Sequence, residues 1–488
     1  MNDSRHGILA LGSYLPHGRL PRTVVQAANA WFAPTRKAGP GERRSFCNWD
    51  EDALTMAVEA GRACLNANPN VGPEAELAQR IDQLTLASTS LPFADRSNAG
   101  VVREALDLST AAEVTDTGGS MRAGSTALKA ALGTGGRGDH LVLASDCIDA
   151  KPASAQELQF GHGAAAMLIG KGQAIASLVG TAGLQQDFVD HYRASGERFE
   201  YALEPRWARD AGYRQQVVET AQEALRSAGL EADKVTRLSI SAPGGLSQST
   251  AKQLAAQLSI ASPDTALERR AGFCGAAQPL LALTEALEAA GKDEVIALVC
   301  LGQGVDVLIF KVHRAPDTAG LSSALDSGVD EDNYTRYLAL RGLLPLETGI
   351  RAERDNRTAL SAFWRKHEAI TGFKGGLCSA CGTLQFPPTK LCVSCAAEDT
   401  QTLKRMAEMT GRVRSFTEDW LAYTPKPPLV FGNVGFEDGA NVMMEFTDVE
   451  AGQLEVGLPV RMRFRIKDTD ERRGFRRYFW KPAPMRAC

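Results

Sequence analysis

The sequence has no long apolar run and no excess of either charge. Nowhere in its 488 residues do about 18 consecutive apolar residues occur, so no helical membrane span is expected. Lysine and arginine number 54 against 58 aspartates and glutamates, a net charge of −4. That balance gives no overall argument for nucleic acid as a partner. The N-terminus, MNDSRHGILALGSYLP, lacks both a long apolar core and a small-residue cleavage site, so no secretory signal is expected. Hydrophobic residues at 44% and charged residues at 23% are ordinary globular values, which exclude a disordered, collagen-like or disulfide-scaffold chain. At roughly 150 residues per domain, the length suggests about three structural units.

Ten cysteines are present. Cys47, Cys64, Cys147, Cys274, Cys300 and Cys488 are scattered, and four more crowd between 378 and 395. This pattern suits a reduced cytoplasm and a metal site better than a secreted disulfide framework.

Short apolar runs alternate with helical patterns. Gly7–Ser13, Ile81–Ser88 and His140–Ser145 read as buried strands, Asp52–Asn66 and Met121–Leu132 as helices. The alternation predicts an α/β layered core. His140–Gly170 and Glu294–Val312 repeat one theme, an apolar strand, a Gly-flanked polar centre and a second apolar strand. Two similar halves, at 1–175 and 176–315, are expected. Arg314–Asp332 is rich in small and polar residues and reads as a linker, followed by a helical stretch at Asn333–Leu343. A linker and helix thus fill 316–345, and a helix with the cysteine cluster fills 346–397. From 398 to 488 short β-prone runs separated by turn signals suggest a small barrel or sandwich.

Cys378 and Cys381 form one CxxC knuckle, Cys392 and Cys395 another, with ten residues between. Two knuckles give the tetrahedral sulfur set that Zn²⁺ prefers. Four cysteines leave no open position for water, so the ion is expected to be structural.

These residues carry a resemblance. The ribbon, the short strands after it and the ending Arg477–Pro482 (RYFWKP) resemble the DUF35 proteins, which pair a rubredoxin-like zinc ribbon with an OB-fold and accompany acyl-CoA thiolases and synthases. Asn48–Ala60, Thr117–Leu128, Phe160–Gly170 and Gly272–Leu283 resemble the thiolase superfamily, nearest its hydroxymethylglutaryl-CoA synthase and ketoacyl synthase III branch. The resemblance implies two thiolase-like α/β halves related by a pseudo-dyad, fused to a zinc ribbon and an OB-fold. It also implies a coenzyme A thioester as substrate, and at least a homodimer.

The reactive positions depart from that branch. Its nucleophile, a Cys at a helix N-terminus, falls on Met121, and a thioether cannot form an acyl enzyme. A one-place shift offers Ser120, a weak nucleophile. The branch's Glu base falls on Thr89, its His on Ala242 and its Asn on Phe273. Joint loss of all four argues against a Cys-dependent Claisen step. An aldol or retro-aldol reaction of a β-hydroxyacyl-CoA needs only a base and stabilisation of an enolate. Thiolase-like proteins paired with DUF35 partners in steroid side-chain degradation are aldolases, so the resemblance implies this chemistry. A Claisen condensation through a displaced thiol, with Cys274 as the candidate, and a non-catalytic scaffold are the alternatives.

Replacement groups are sought in Asp187–Arg193 (DFVDHYR). His191 titrates near neutrality and is the candidate base, with Asp190 or Asp187 to orient it and Tyr192 to hold a hydroxyl or enolate. Arg193 is a candidate for a CoA phosphate, and Met121 and Arg122 for the rest of the substrate site. The plain alternative is a solvated loop. His162, between two glycines, is a further catalytic candidate or a turn residue; Cys274 is a displaced nucleophile or a buried small hydrophobe. Gly133–Gly138 (GTGGRG) matches a dinucleotide-loop pattern in the wrong order of elements and reads as chance. Arg461–Cys488 carries a net +7, which suits CoA phosphates or a neighbouring subunit better than single-stranded nucleic acid.

Overall fold

The computed structural model describes residues 5–67, 78–133, 138–242, 248–260, 266–318, 320–353, 357 and 359–485. The chain divides into two units, the first running to Tyr337 apart from two short segments, Trp49–Glu51 and Glu104–Asp107, which cluster with residues 338–488 in the second.

In the first unit nine strands share one sheet. They are β1 (Arg5–Tyr14), β2 (Ile81–Ala87), β3 (Glu113–Thr117), β4 (Asp139–Asp146), β5 (Gly163–Gly172), β6 (Ala176–Gln185), β7 (Arg237–Ser241), β8 (Val295–Leu301) and β9 (Gly304–Val312). Their order is β7-β8-β9-β6-β1-β5-β4-β2-β3. The two segments of the internal repeat both form antiparallel pairs, β4 with β5 and β8 with β9. Each pair continues outward into a parallel neighbour, β2 and β7 respectively. Where the two groups of strands meet, β1 and β6 pair only at Ile8 and Ala176. Two similar halves thus join edge to edge.

Helix α1 (Ala53–Asn66) is buried along almost its whole length. Asp52 caps it, accepting hydrogen bonds from the Leu54 and Thr55 amides, and the Thr55 hydroxyl closes the capping box. Helix α2 (Ala123–Gly133) packs so closely that a Cβ on Gly124 would lie 2.2 Å from the Ala276 carbonyl oxygen. Helices α3 (Arg214–Ala228) and α4 (Gln278–Glu288) complete the layers that matter for the site.

The stretch expected to be a linker differs. Gly320–Asp326 forms helix α5, and Leu321 and Leu325, one turn apart, are buried in the main core cluster. Two leucines at that spacing outweigh the small polar residues around them. Of the GTGGRG stretch, residues 134–137 lie outside the described residues, as do residues 486–488.

In the second unit the ribbon strands β10 (Lys374–Cys378), β11 (Leu384–Gln385) and β12 (Gln401–Arg405) pair in the order β11-β10-β12. Five antiparallel strands follow: β13 (Gly411–Asp419), β14 (Leu429–Gly435), β15 (Asn441–Glu445), β16 (Pro459–Asp470) and β17 (Phe475–Pro484), in the order β15-β14-β13-β16-β17. Much of the basic charge near the C-terminus is spent inside this unit. Arg465 pairs with Glu51 at 3.1 Å and Asp448 at 2.9 Å, Lys481 with Asp50 at 3.1 Å, and Arg477, Arg473 and Lys467 with Asp468, Asp470 and Glu445. No helix among the described residues is long and apolar enough to cross a membrane.

Candidate functional site

The site is built on the ends of β2 and β4 and the start of α2. Ser120 precedes α2; its hydroxyl donates to the Gly302 carbonyl and accepts the Arg122 amide at 3.1 Å. The second is a cap-type contact, the first reaches the turn between β8 and β9, and together they keep the hydroxyl occupied. The next residue, Met121, is 5% exposed and sits in a buried apolar cluster with Ile148, Ala150, Phe160 and Phe273. Phe160 and Phe273 are cross-paired by an isolated bridge, with ring centroids 6.3 Å apart. Two positions where the resemblance places nucleophile and Asn therefore meet, but as hydrocarbon against thioether. Ala242 is buried in a separate apolar cluster.

Thr89 has another task. Its hydroxyl donates to Asp146 Oδ2 at 2.9 Å and its amide to Oδ1 at 2.8 Å. Ser88 and Ser90 hydroxyls add bonds to Oδ1 at 2.9 and 2.8 Å, and the Ala276 amide adds one to Oδ2 at 2.6 Å. Gly275 permits that last approach: its φ is +54°, and a Cβ there would lie 2.4 Å from Asp146 Oδ2. Burial raises the Asp146 carboxyl against the pull of these five donors. Sequence reasoning missed this hub; the only local signal was an aspartate ending an apolar strand.

Asp190 and His191 come together. His191 Nδ1 lies 2.8 Å from Asp190 Oδ1, and the Tyr213 hydroxyl donates to Asp190 Oδ2. Asp187 is exposed and is not a partner of the imidazole. Burial lowers the His191 imidazole, but the hydrogen bond and charge of Asp190 outweigh it, so its pKa lies above the usual histidine value. Burial raises Asp190, yet its bonds from His191 and Tyr213 hold it below the usual carboxylate range. Glu200 completes the group; burial raises its carboxyl, and its Oε2 is buried without a hydrogen-bond partner. The His191 carbonyl accepts from Gln303 Nε2 at 3.0 Å, and the Arg193 guanidinium donates to the Thr89 carbonyl. These bonds tie the His191 segment to the turn between β8 and β9, whose Gly302 carbonyl takes the Ser120 hydroxyl, and to the Thr89 loop. Tyr192 is half exposed and packs beside Tyr201, ring centroids 5.6 Å apart.

The other candidates are held inward. Arg122 is saturated by protein: Nε to the Gly302 carbonyl at 2.8 Å, one terminal nitrogen to Asp306 at 2.6 Å and the other to Gln185 at 2.7 Å. His162 is fully buried, with Nδ1 accepting the Cys47 amide at 2.9 Å and Nε2 3.1 Å from the Ile148 carbonyl. A backbone donor on one side and an acceptor on the other fix the Nε2–H tautomer. Cys274 is fully buried, and burial pushes its thiol up to about 12.

In the second unit the four cysteine sulfurs lie within 4.8 Å of one another. Cys378 and Cys395 sulfurs are 3.8 Å apart, Cys381 and Cys392 3.6 Å. Thiolates held about 2.3 Å from a tetrahedral Zn²⁺ have edges of about 3.8 Å, so the donor set fits the ion. The Gln385 side chain braces the second knuckle, accepting the Val393 amide at 2.8 Å and donating to the Leu391 carbonyl at 3.1 Å.

Comparison with known proteins agrees with this architecture. Residues 372–401 match a family model described as the ChsH2 rubredoxin-like zinc ribbon domain, and residues 404–465 one described as the ChsH2 C-terminal OB-fold domain. A hydroxymethylglutaryl-CoA synthase of Aeropyrum pernix is 30% identical over 179 residues, 36% of this chain and 48% of that protein. There the chain spans about half the length of the curated relative. One from Pyrobaculum aerophilum is 25% identical over 357 residues, 70% of this chain and 99% of that protein. The crystal structure of a hydroxymethylglutaryl-CoA synthase complexed with CoA superposes with a TM-score of 0.55 at 15% identity, covering 72% of this chain and 94% of that one. The chain is thus a thiolase-like fold fused to a zinc ribbon and an OB-fold of the DUF35 type, as its sequence resemblance implied.

Proposed function

We propose that this chain is an enzyme of acyl-CoA thioesters that makes or breaks a carbon–carbon bond by aldol-type chemistry, without an acyl-enzyme intermediate. One observation carries the reading: the place of the attacking thiolate is a thioether packed among Ile148, Phe160 and Phe273, while a histidine–carboxylate pair stands on a segment bonded to Gln303, beside the Gly302 carbonyl that takes the Ser120 hydroxyl.

In the cleavage direction, His191 Nε2 takes the proton of the β-hydroxyl. The oxygen's electron pair becomes the new carbonyl, the Cα–Cβ bond breaks, and its electrons pass to the thioester enolate. Return of a proton to Cα completes the step. Asp190 orients the imidazole and stabilises the imidazolium, as in other histidine–carboxylate pairs. Tyr192 is assigned to the hydroxyl or enolate oxygen and Arg193 to a CoA phosphate. Met121 lines the substrate site as an apolar wall; Arg122, His162 and Cys274 keep structural roles. Zn²⁺ in the ribbon stabilises its fold and takes no part in the reaction.

The names of the relatives favour a second reading, a Claisen-type condensation. It requires a thiolate, and Cys274 is poorly placed to supply one. The test is incubation with a β-hydroxyacyl-CoA followed by mass spectrometry. Carbonyl product and shortened acyl-CoA support the aldol reading; an acyl adduct on the chain supports the Claisen reading. No turnover of any acyl-CoA leaves a scaffold.

A further inference from the structure

We propose that Cys47, Cys147 and His162 form a second zinc site in the first unit, separate from the ribbon and independent of the proposed reaction. Cys47 Sγ, Cys147 Sγ and one ring nitrogen of His162 lie within 4.8 Å of one another. Cys147 Sγ is 3.6 Å from His162 Nδ1. A tetrahedral ion with sulfur at about 2.3 Å and nitrogen at about 2.1 Å has a sulfur–nitrogen edge of about 3.6 Å. The same fold therefore holds two thiol clusters at ligand spacing, and only one of them carries a CxxC signature.

Three different elements deliver these ligands. Cys47 follows the strand Arg43–Phe46, Cys147 follows β4 and His162 precedes β5. Their backbones are locked before any ion arrives. The His162 amide donates to the Ser45 carbonyl at 3.1 Å, the Ser45 hydroxyl to the His162 carbonyl at 2.5 Å, and the Cys147 amide to Ser90 Oγ at 2.8 Å. His162 Nε2 faces the Ile148 carbonyl, the kind of outer bond that aims Nδ1 at a metal. An ion at Nδ1 takes the lone pair that now accepts the Cys47 amide, so binding requires that amide to turn from the imidazole to a coordinated thiolate.

The donor set selects the ion. Two thiolates and a neutral imidazole suit Zn²⁺ over Mg²⁺ or Ca²⁺, and the Met56 thioether, 3.5 Å from Cys47 Sγ, adds a soft neighbour. Two negative sulfurs cancel the dication, which suits a place where Cys47 and His162 are fully buried. Cys147 is partly exposed, giving the ion an entry side and leaving a fourth position for water.

The test uses the full chain loaded with Zn²⁺, desalted and assayed for metal by mass spectrometry. About two zinc ions per chain are expected in the wild type and about one in Cys147→Ser. One ion in both overturns the site. A second readout needs no variant: Zn²⁺ should slow iodoacetamide labelling of Cys147, mapped by peptide, about tenfold, because a coordinated thiolate is blocked. Unchanged labelling, or a Cys47–Cys147 disulfide that persists in reductant, also overturns it.

Discussion

Asp190 uses both carboxylate oxygens at once, one 2.8 Å from His191 Nδ1 and the other taking the Tyr213 hydroxyl. Two fixed contacts leave the carboxylate no freedom to turn, so the imidazole inherits a fixed orientation. Replacing His191 with alanine should cut turnover of a β-hydroxyacyl-CoA by about 10²–10⁴-fold, the usual contribution of a general base. Full activity in that variant would end the assignment.

The same pair sets a pH dependence. His191 must be neutral to accept a proton, and Asp190 raises its pKa, so kcat should rise with pH to a plateau whose midpoint lies above the ordinary histidine value. Asp190→Asn removes that carboxylate, and the midpoint should move down. An unchanged midpoint would assign the titration to another group.

Stability carries the opposite sign. Because the folded pKa of His191 lies above its unfolded value, the Asp190–His191 pair contributes stability fully below the unfolded histidine pKa of about 6.5. The contribution is lost as pH rises through the folded value. Urea midpoints of wild type minus Asp190→Asn should therefore shrink between weakly acidic and alkaline pH, and a constant difference would count against the shift.

Arg122 and Asp306 form a buried pair at 2.6 Å, with the Ser125 hydroxyl on the same carboxylate oxygen. Arg122→Ala strands the aspartate, although Lys129 at 3.6 Å relieves part of its charge. A loss of about 3 kcal/mol in unfolding free energy is expected. A loss below about 0.5 kcal/mol, the range of exposed pairs, would show that solvent already screens this one.

Cys378→Ser removes one of four thiolates from the ribbon and should release its zinc and destabilise the second unit. Metal content measured alongside circular dichroism checks this, and zinc content equal to wild type would contradict the S₄ assignment.

Much of this molecule was written locally. Asp52 and Thr55 announce the start of α1 because a cap needs only residues three apart. The four zinc ligands are legible for the same reason: each knuckle is made within four residues. The paired apolar runs of β4–β5 and β8–β9 show as a repeat because neighbouring strands need no distant partner. Asp190 beside His191 was legible too, being adjacent in the chain.

What the sequence could not show depends on contacts between distant residues. Met121 and Phe273 share a cluster, and Asp146 gathers Ser88, Thr89, Ser90 and Ala276, only because sheet register and the close approach at Gly124 and Gly275 bring those loops together. Cys47, Cys147 and His162 converge for the same reason. Leu321 and Leu325 turned an expected linker into a helix because a core face was there to receive them. Periodicity and spacing are properties of a short stretch of chain. The partner of a buried polar or sulfur group is chosen by packing, and packing exists only once the sheet has formed.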